Sequence, residues 1–143
     1  MERTNPIHVV AAIFIQEEKV LACRRAPHKS SPGLWEFPGG KVEEGEEPFA
    51  ALEREIKEEL NFTCYPIQSF DISDTVLGTE VIRLESIVCR FSSIPEITST
   101  DHDLIVWCEH RNLQSLNWAA PDLPTVVRLL SLANLEKLKE DTF

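Results

Sequence analysis

The stretch Gly39–Phe62, GGKVEEGEEPFAALEREIKEELNF, limits this chain more than any other feature. Within it ALEREIKEEL has helical spacing, with Arg54-Glu55-Ile56-Lys57-Glu58-Glu59 near its end. On a helical wheel Glu58 and Glu59 fall within about 60° of Glu55. Like charges this close destabilise a helix unless a cation neutralises them. The apolar residues Phe49, Leu52, Ile56 and Leu60 form a stripe beside the acids. One helix can therefore pack on a sheet and still turn its carboxylates to a cleft. Gly39, Gly40 and Gly45 before the helix suit a tight backbone bend. A bent loop opening onto an acidic helix suits a hard divalent ion such as Mg²⁺, which prefers oxygen ligands.

The charge distribution sharpens that reading. The 143 residues carry a net charge of −10. Residues 40–62 alone hold eight acids against three bases, a net of −5. Half the excess sits in one segment, which favours a cation site over general solubility. The overall sign excludes non-specific binding to nucleic acid polymers. Length, with 43% hydrophobic and 27% charged residues, predicts one globular domain over residues 1–143. Cys23, Cys64, Cys89 and Cys108 stand far apart in apolar settings and are expected to be buried free thiols. The apolar run after Ile7 is about eight residues, too short to span a membrane. It is expected to continue into a strand rather than to act as a signal peptide. A reducing, cytoplasmic compartment is the expectation.

Along the chain, residues 7–15 and 20–25 predict a hairpin around the polar turn 16–19. Residues 26–35 predict an exposed loop, and 36–38 a short extended piece. The acidic helix is expected over 47–60, with Pro48 in its first turn and Asn61 as a left-handed C-terminal cap. Strands are expected over 64–75 and 80–91, joined by a turn at 77–79, and over 104–108. Residues 92–103 predict a polar loop. A second amphipathic helix is expected over 121–140, with Val126, Val127, Leu129, Leu130, Leu132 and Leu135 inward. The order of elements predicts an α/β fold with a mixed sheet between two helices.

Gly40, Glu46, Arg54-Glu55-Ile56 and Glu58-Glu59 fall at fixed spacings that resemble the Nudix hydrolase signature, G-x5-E-x7-R-E-U-x-E-E-x-G-U. Asn61 and Phe62 depart from it, at positions for glycine and an aliphatic residue. Arg24-Arg25, the run from Trp35 to Lys41, Ile105–Cys108 and Ala119–Pro124 extend the likeness to the MutT-type branch. That branch includes 8-oxo-dGTP diphosphatases and CTP pyrophosphohydrolases.

The resemblance implies an α/β/α sandwich and Mg²⁺-dependent hydrolysis of a nucleoside triphosphate to monophosphate and pyrophosphate, with Mn²⁺ as a substitute ion. It implies Glu55, Glu58 and Glu59 as metal ligands, joined by the Gly39 carbonyl and by Asp101 in the loop before the last strand. Glu55 and Glu59 both stand open as general base. Arg54 is implied to orient a glutamate, with Glu46 as its acceptor or support. Arg25 and Lys41 are implied to face the nucleotide, while Arg24 points to the other side of its strand. Phe37 and Asp122 are candidates for the base. Phe37 can stack or simply pack, and Asp122 also stands where a helix N-cap belongs. By the resemblance the residue at Asp122 meets the base edge, and it is aspartate where the 8-oxo-dGTP enzyme has asparagine. Cytidine nucleotides (CTP, dCTP, 5-methyl derivatives) and 8-oxo-dGTP can both pair with it, so Asp122 alone leaves the base open. A nucleotide sugar, a dinucleoside polyphosphate or a catalytically silent sensing module are the rival readings. The expected partner is the nucleotide alone, bound by a monomer or homodimer. None of His8, His28, His102 and His110 has ligand spacing, and none is assigned a catalytic role.

Overall fold

The computed structural model describes residues 5–94 and 99–140. The expected loop over 92–103 has its centre, 95–98, outside the described residues, as are 1–4 and 141–143 of the expected domain.

Strand β1 (Ile7–Gln16) is the axis of the molecule. It pairs in parallel with β6 (Glu80–Phe91) from Ile7↔Ile82 to Phe14↔Cys89. Its last residues pair antiparallel with β2 (Lys19–Arg25), which makes the expected hairpin. Glu17 and Glu18 both take positive φ in the turn. β2 also pairs with β3 (Trp35–Glu36) and β7 (His102–Glu109), and β6 pairs with β5 (Cys64–Leu77). β4 (Gly39–Lys41) adds to β1 antiparallel, completing a sheet of seven strands among the described residues.

β1 explains the unbroken apolar sequence at the start of the chain. Ala11, Ile13 and Ile15 enter one core cluster, while Val10, Ala12 and Phe14 enter another. A strand buried on both faces needs apolar residues at every position. Helix α1 (Pro48–Leu60) covers one face through Ala51, Leu52, Ile56 and Leu60. Helix α2 (Leu123–Leu130) covers the other through Val126 and Leu129, beside Trp118 and Leu113. The mixed sheet between two helices is therefore the α/β/α arrangement expected.

Local expectations fare unevenly. Asn61 adopts φ 60° and ψ 36°, and its N–H bonds to Ile56 and Lys57 carbonyls, which is the expected cap. Phe49 is 37% exposed, so the apolar stripe of α1 starts one turn later than expected. The expected helix over 121–140 is broken: α2 stops at Leu130, and a short α3 (Glu136–Glu140) follows. Glu18 supplies the reason, because its carboxylate accepts from the Leu135 and Glu136 N–H groups and caps the new start. Val127, expected inward, is 65% exposed on the outer side of the shorter helix. All four cysteines are free and buried.

Candidate active site

Gly39 and Gly40 are not the expected bend. They lie in β4, and their missing side chains permit close approach on both sides. A Cβ at Gly39 would sit 1.9 Å from the Val10 carbonyl oxygen, and one at Gly40 would sit 2.3 Å from the Glu55 carboxylate. The bend itself falls at Gly45, with φ 80°. The glycine pair thus lets strand β4 pair with β1 while helix α1 lays a carboxylate directly on it.

Arg54 organises the acids. Its Nε and Nη2 donate to both Glu46 oxygens at 2.8 and 2.9 Å. Nη1 donates to Glu55 at 2.9 Å and Glu58 at 3.2 Å, and Nη2 also reaches the Lys41 carbonyl at 3.1 Å. The guanidinium, helped by the Glu43 N–H, holds the Glu46 carboxyl down to about 2. The contact with Glu46 in turn raises the pKa of Arg54. Such two-pronged charge-assisted bonds fix orientation as well as charge.

Glu55 and Glu59 line a cleft of about 630 Å³ that runs between β4, α1, the 26–34 loop and the 119–122 segment. Burial raises the Glu59 carboxyl to about 7; the fields of Glu36, Asp101 and Glu55 add to this, while His102 opposes it. A half-neutralised group of acids around one buried carboxylate is the electrostatic gap that a hard divalent cation fills. The donor set therefore fits Mg²⁺ or Mn²⁺. Glu58 is apart: its side chain is 63% exposed and turned to Arg54. Among the described residues, no three His, Cys, Asp or Glu side chains form a ready-made cation cage.

The same cleft gathers Gly39, Asp101, Arg25, Lys41, Phe37 and Asp122. Asp101 faces the Lys29 ammonium at 3.3 Å. Arg25 is engaged rather than free: Nη1 donates to Glu36 and Nη2 to the Ser30 hydroxyl. Arg24 pairs with Asp103 on the other side of the strand, as expected. Phe37 is 3% exposed and stacks on Trp118, with ring centroids 4.6 Å apart. Asp122 makes no cap to α2. Its carboxylate accepts instead from the Phe37 N–H at 3.0 Å. Burial pushes the Asp122 carboxyl well above the usual carboxylate range.

Glu36 and Lys29 line the cleft without having been singled out from the sequence, and His102, which was given no role there, stands just behind it. His102 is buried, with Nε2 2.8 Å from Glu36 and Nδ1 3.3 Å from Glu59. The last strand begins at His102 rather than Leu104, and an irregularity opposite Arg24 and Arg25 interrupts its alternation, so simple spacing could not have placed His102 beside Glu59.

Comparison with known proteins places this geometry. A NUDIX domain model matches residues 6–130. The CTP pyrophosphohydrolase of Escherichia coli K12 is 30% identical over 130 residues, covering 88% of this chain and 93% of that protein. The mouse 8-oxo-dGDP phosphatase NUDT18 is 27% identical over 136 residues, 95% of this chain but 39% of that longer protein. The solution structure of the E. coli ORF135 protein superposes with a TM-score of 0.75 at 29% identity, covering 88% and 89% of the two chains. Sequence spacing, fold and relatives meet at one point: the chain belongs to the Nudix family of hydrolases.

Proposed function

We propose that this hydrolase is a divalent-cation-dependent pyrophosphohydrolase of nucleoside triphosphates, with cytidine nucleotides favoured over 8-oxo-dGTP. The observation that supports it is the single cleft holding Glu55, Glu59, Lys41, Arg25, Phe37 and Asp122 together. We further propose that residues 1–143 work as one domain.

Glu55, Glu58 and Glu59 would hold Mg²⁺ or Mn²⁺, with Gly39 and Asp101 in support. Bound there, the ion would neutralise phosphate oxygens and lower the pKa of the attacking water. Arg54 orients Glu46, Glu55 and Glu58 through its guanidinium and holds Glu46 ionised. Arg25 braces the wall of the cleft through Glu36 and Ser30, and Lys41 offers a cation to the phosphate chain. Desolvation raises the basicity of the buried Glu59, which suits it to accept a proton from water.

The base preference follows from the protonation of Asp122. One oxygen accepts from the Phe37 N–H and keeps a second lone pair, and the other oxygen is free to meet the substrate. An ionised carboxylate only accepts, which suits the two donors N1–H and N2–H of a guanine edge. A neutral carboxyl donates and accepts, which matches N3 and the N4 amine of cytosine. Burial favours the neutral form.

A nucleotide panel in Mg²⁺ tests both parts. Pyrophosphate and CMP from CTP, faster than turnover of 8-oxo-dGTP, is the expected result. Cleavage confined to a nucleotide sugar or a dinucleoside polyphosphate would move the substrate class. Silence across the panel would leave a nucleotide-sensing module.

A further inference from the structure

His102 is the most confined polar group beside the cleft, with no solvent exposure of its side chain. Nε2 meets Glu36 Oε2 at 2.8 Å. Nδ1 stands 3.3 Å from Glu59 Oε1 and 3.1 Å from Ser99 Oγ. Glu36 also accepts from Arg25 Nη1 at 3.1 and 3.3 Å. A continuous line of polar contacts therefore runs Arg25–Glu36–His102–Glu59. It joins residues from β2, β3, β7 and α1. Strand register places its members: Arg25 stands opposite His102, and Cys23 opposite Glu36.

Packing alone is a poor account of this line of contacts. A buried polar group costs free energy unless its hydrogen bonds are made, and an apolar side chain would fill the same volume without that cost. Nε2 bonds to Glu36 and Nδ1 to the Ser99 hydroxyl, with the Glu59 carboxylate also within 3.3 Å of Nδ1, and both carboxylates line the cleft.

We propose that His102 is a positioning residue that sets the carboxylates of Glu59 and Glu36 relative to each other. It thereby fixes the cation end of the cleft against the wall braced by Arg25. The proposal rests on the hydrolase reading above and adds a residue to it.

The two nitrogens can be tested separately. Asparagine places its amide near the position of Nδ1, and glutamine places its amide near that of Nε2. His102→Asn thus keeps a polar group beside Glu59 and Ser99, and His102→Gln keeps one beside Glu36. Mn²⁺ affinity is measured by electron paramagnetic resonance on the full chain without nucleotide. Turnover of CTP is measured at saturating Mg²⁺, and a melting temperature is taken for each variant.

His102→Gln is expected to weaken Mn²⁺ binding by about 10–100-fold and to lower kcat, the scale for losing a group that orients a metal ligand. His102→Asn is expected to keep Mn²⁺ affinity close to wild type and to raise KM instead. Glu36→Gln, which preserves shape, reads the line from its other end. It is expected to raise KM and to weaken Mn²⁺ binding less than His102→Gln does. Equal losses in both His102 variants, tracking a fall in melting temperature, would overturn the proposal in favour of packing. Unchanged Mn²⁺ affinity in both would overturn it as well, as would a stronger effect on Mn²⁺ from Glu36→Gln. A wild-type protein that binds no Mn²⁺ and hydrolyses none of the nucleotide panel would instead remove the hydrolase reading, and this inference with it.

Discussion

At the acidic end of the cleft the contacts are ionic and local. Arg54 gathers Glu46, Glu55 and Glu58, none more than eight residues away. At the opposite end they are buried and long-range: Asp122 takes the Phe37 N–H across 85 residues of sequence, and Phe37 stacks on Trp118. The first end is a charge arrangement supported by one helix and the loop before it. The second exists only once the whole sheet has formed. Substitutions at the first should therefore strike turnover while sparing the fold, and those at the second should strike both.

Glu58→Gln is the hardest test of the ionic end, because Glu58 points to Arg54 and away from the cleft. Turnover is expected to fall by at least ~100-fold, the scale of losing one electrostatic stabiliser. Circular dichroism and melting temperature should stay near wild type. Near-normal turnover in the folded variant would strike Glu58 from the ligand set.

Arg54→Ala comes next, with an expected loss of about 10–100-fold from misoriented glutamates. Arg54→Lys should rescue little, since an ammonium cannot reproduce the two-pronged contact with Glu46. Full rescue by lysine, measured as kcat/KM, would reduce Arg54 to a point charge.

Asp122→Ala tests the buried end. It leaves the Phe37 N–H without its acceptor, at a cost of about 1–3 kcal/mol in a denaturant titration. Asp122→Asn keeps an acceptor there and should alter the ranking of bases at little cost to stability. pH separates the two forms further. A carboxyl whose folded pKa is raised contributes stability below its unfolded pKa and loses it as pH rises through the folded value. Wild type should therefore lose ground to Asp122→Asn on going from pH 4 to pH 8. A constant difference between the two melting curves would refute a raised pKa.

Phe37→Leu has the smallest expected effect, about 0.5–1.5 kcal/mol for the lost aromatic pair with Trp118. It should leave the ranking of bases unchanged. A reordered ranking would show that the ring meets the base as well as Trp118.

That contrast also explains what was legible in the sequence. The acidic helix was readable because its spacing, its stripe and its Asn61 cap are local properties. The buried β1 was readable for the same reason. The glycine pair was seen but misread: the residues called for a bend, whereas the structure uses their lack of a side chain for close packing. The break between α2 and α3 was hidden, since it depends on Glu18, 117 residues before Leu135. His102 was set aside and Glu36 was not singled out, because each is ordinary by itself. Their meaning comes from strand register, which no local pattern encodes.

The pair of glycines in β4 carries one more consequence. The ionic contacts around Arg54 weaken as salt rises, yet the distance between α1 and the sheet does not depend on them alone. A strand with no side chain at Gly40 lets Glu55 rest against backbone, a contact set by excluded volume and indifferent to ionic strength. High salt should thus loosen the orientation of the acids before it changes how far they stand from the strand. A single added methyl group, at Gly40→Ala, would do the reverse: every charge would remain, and the carboxylate would have to move.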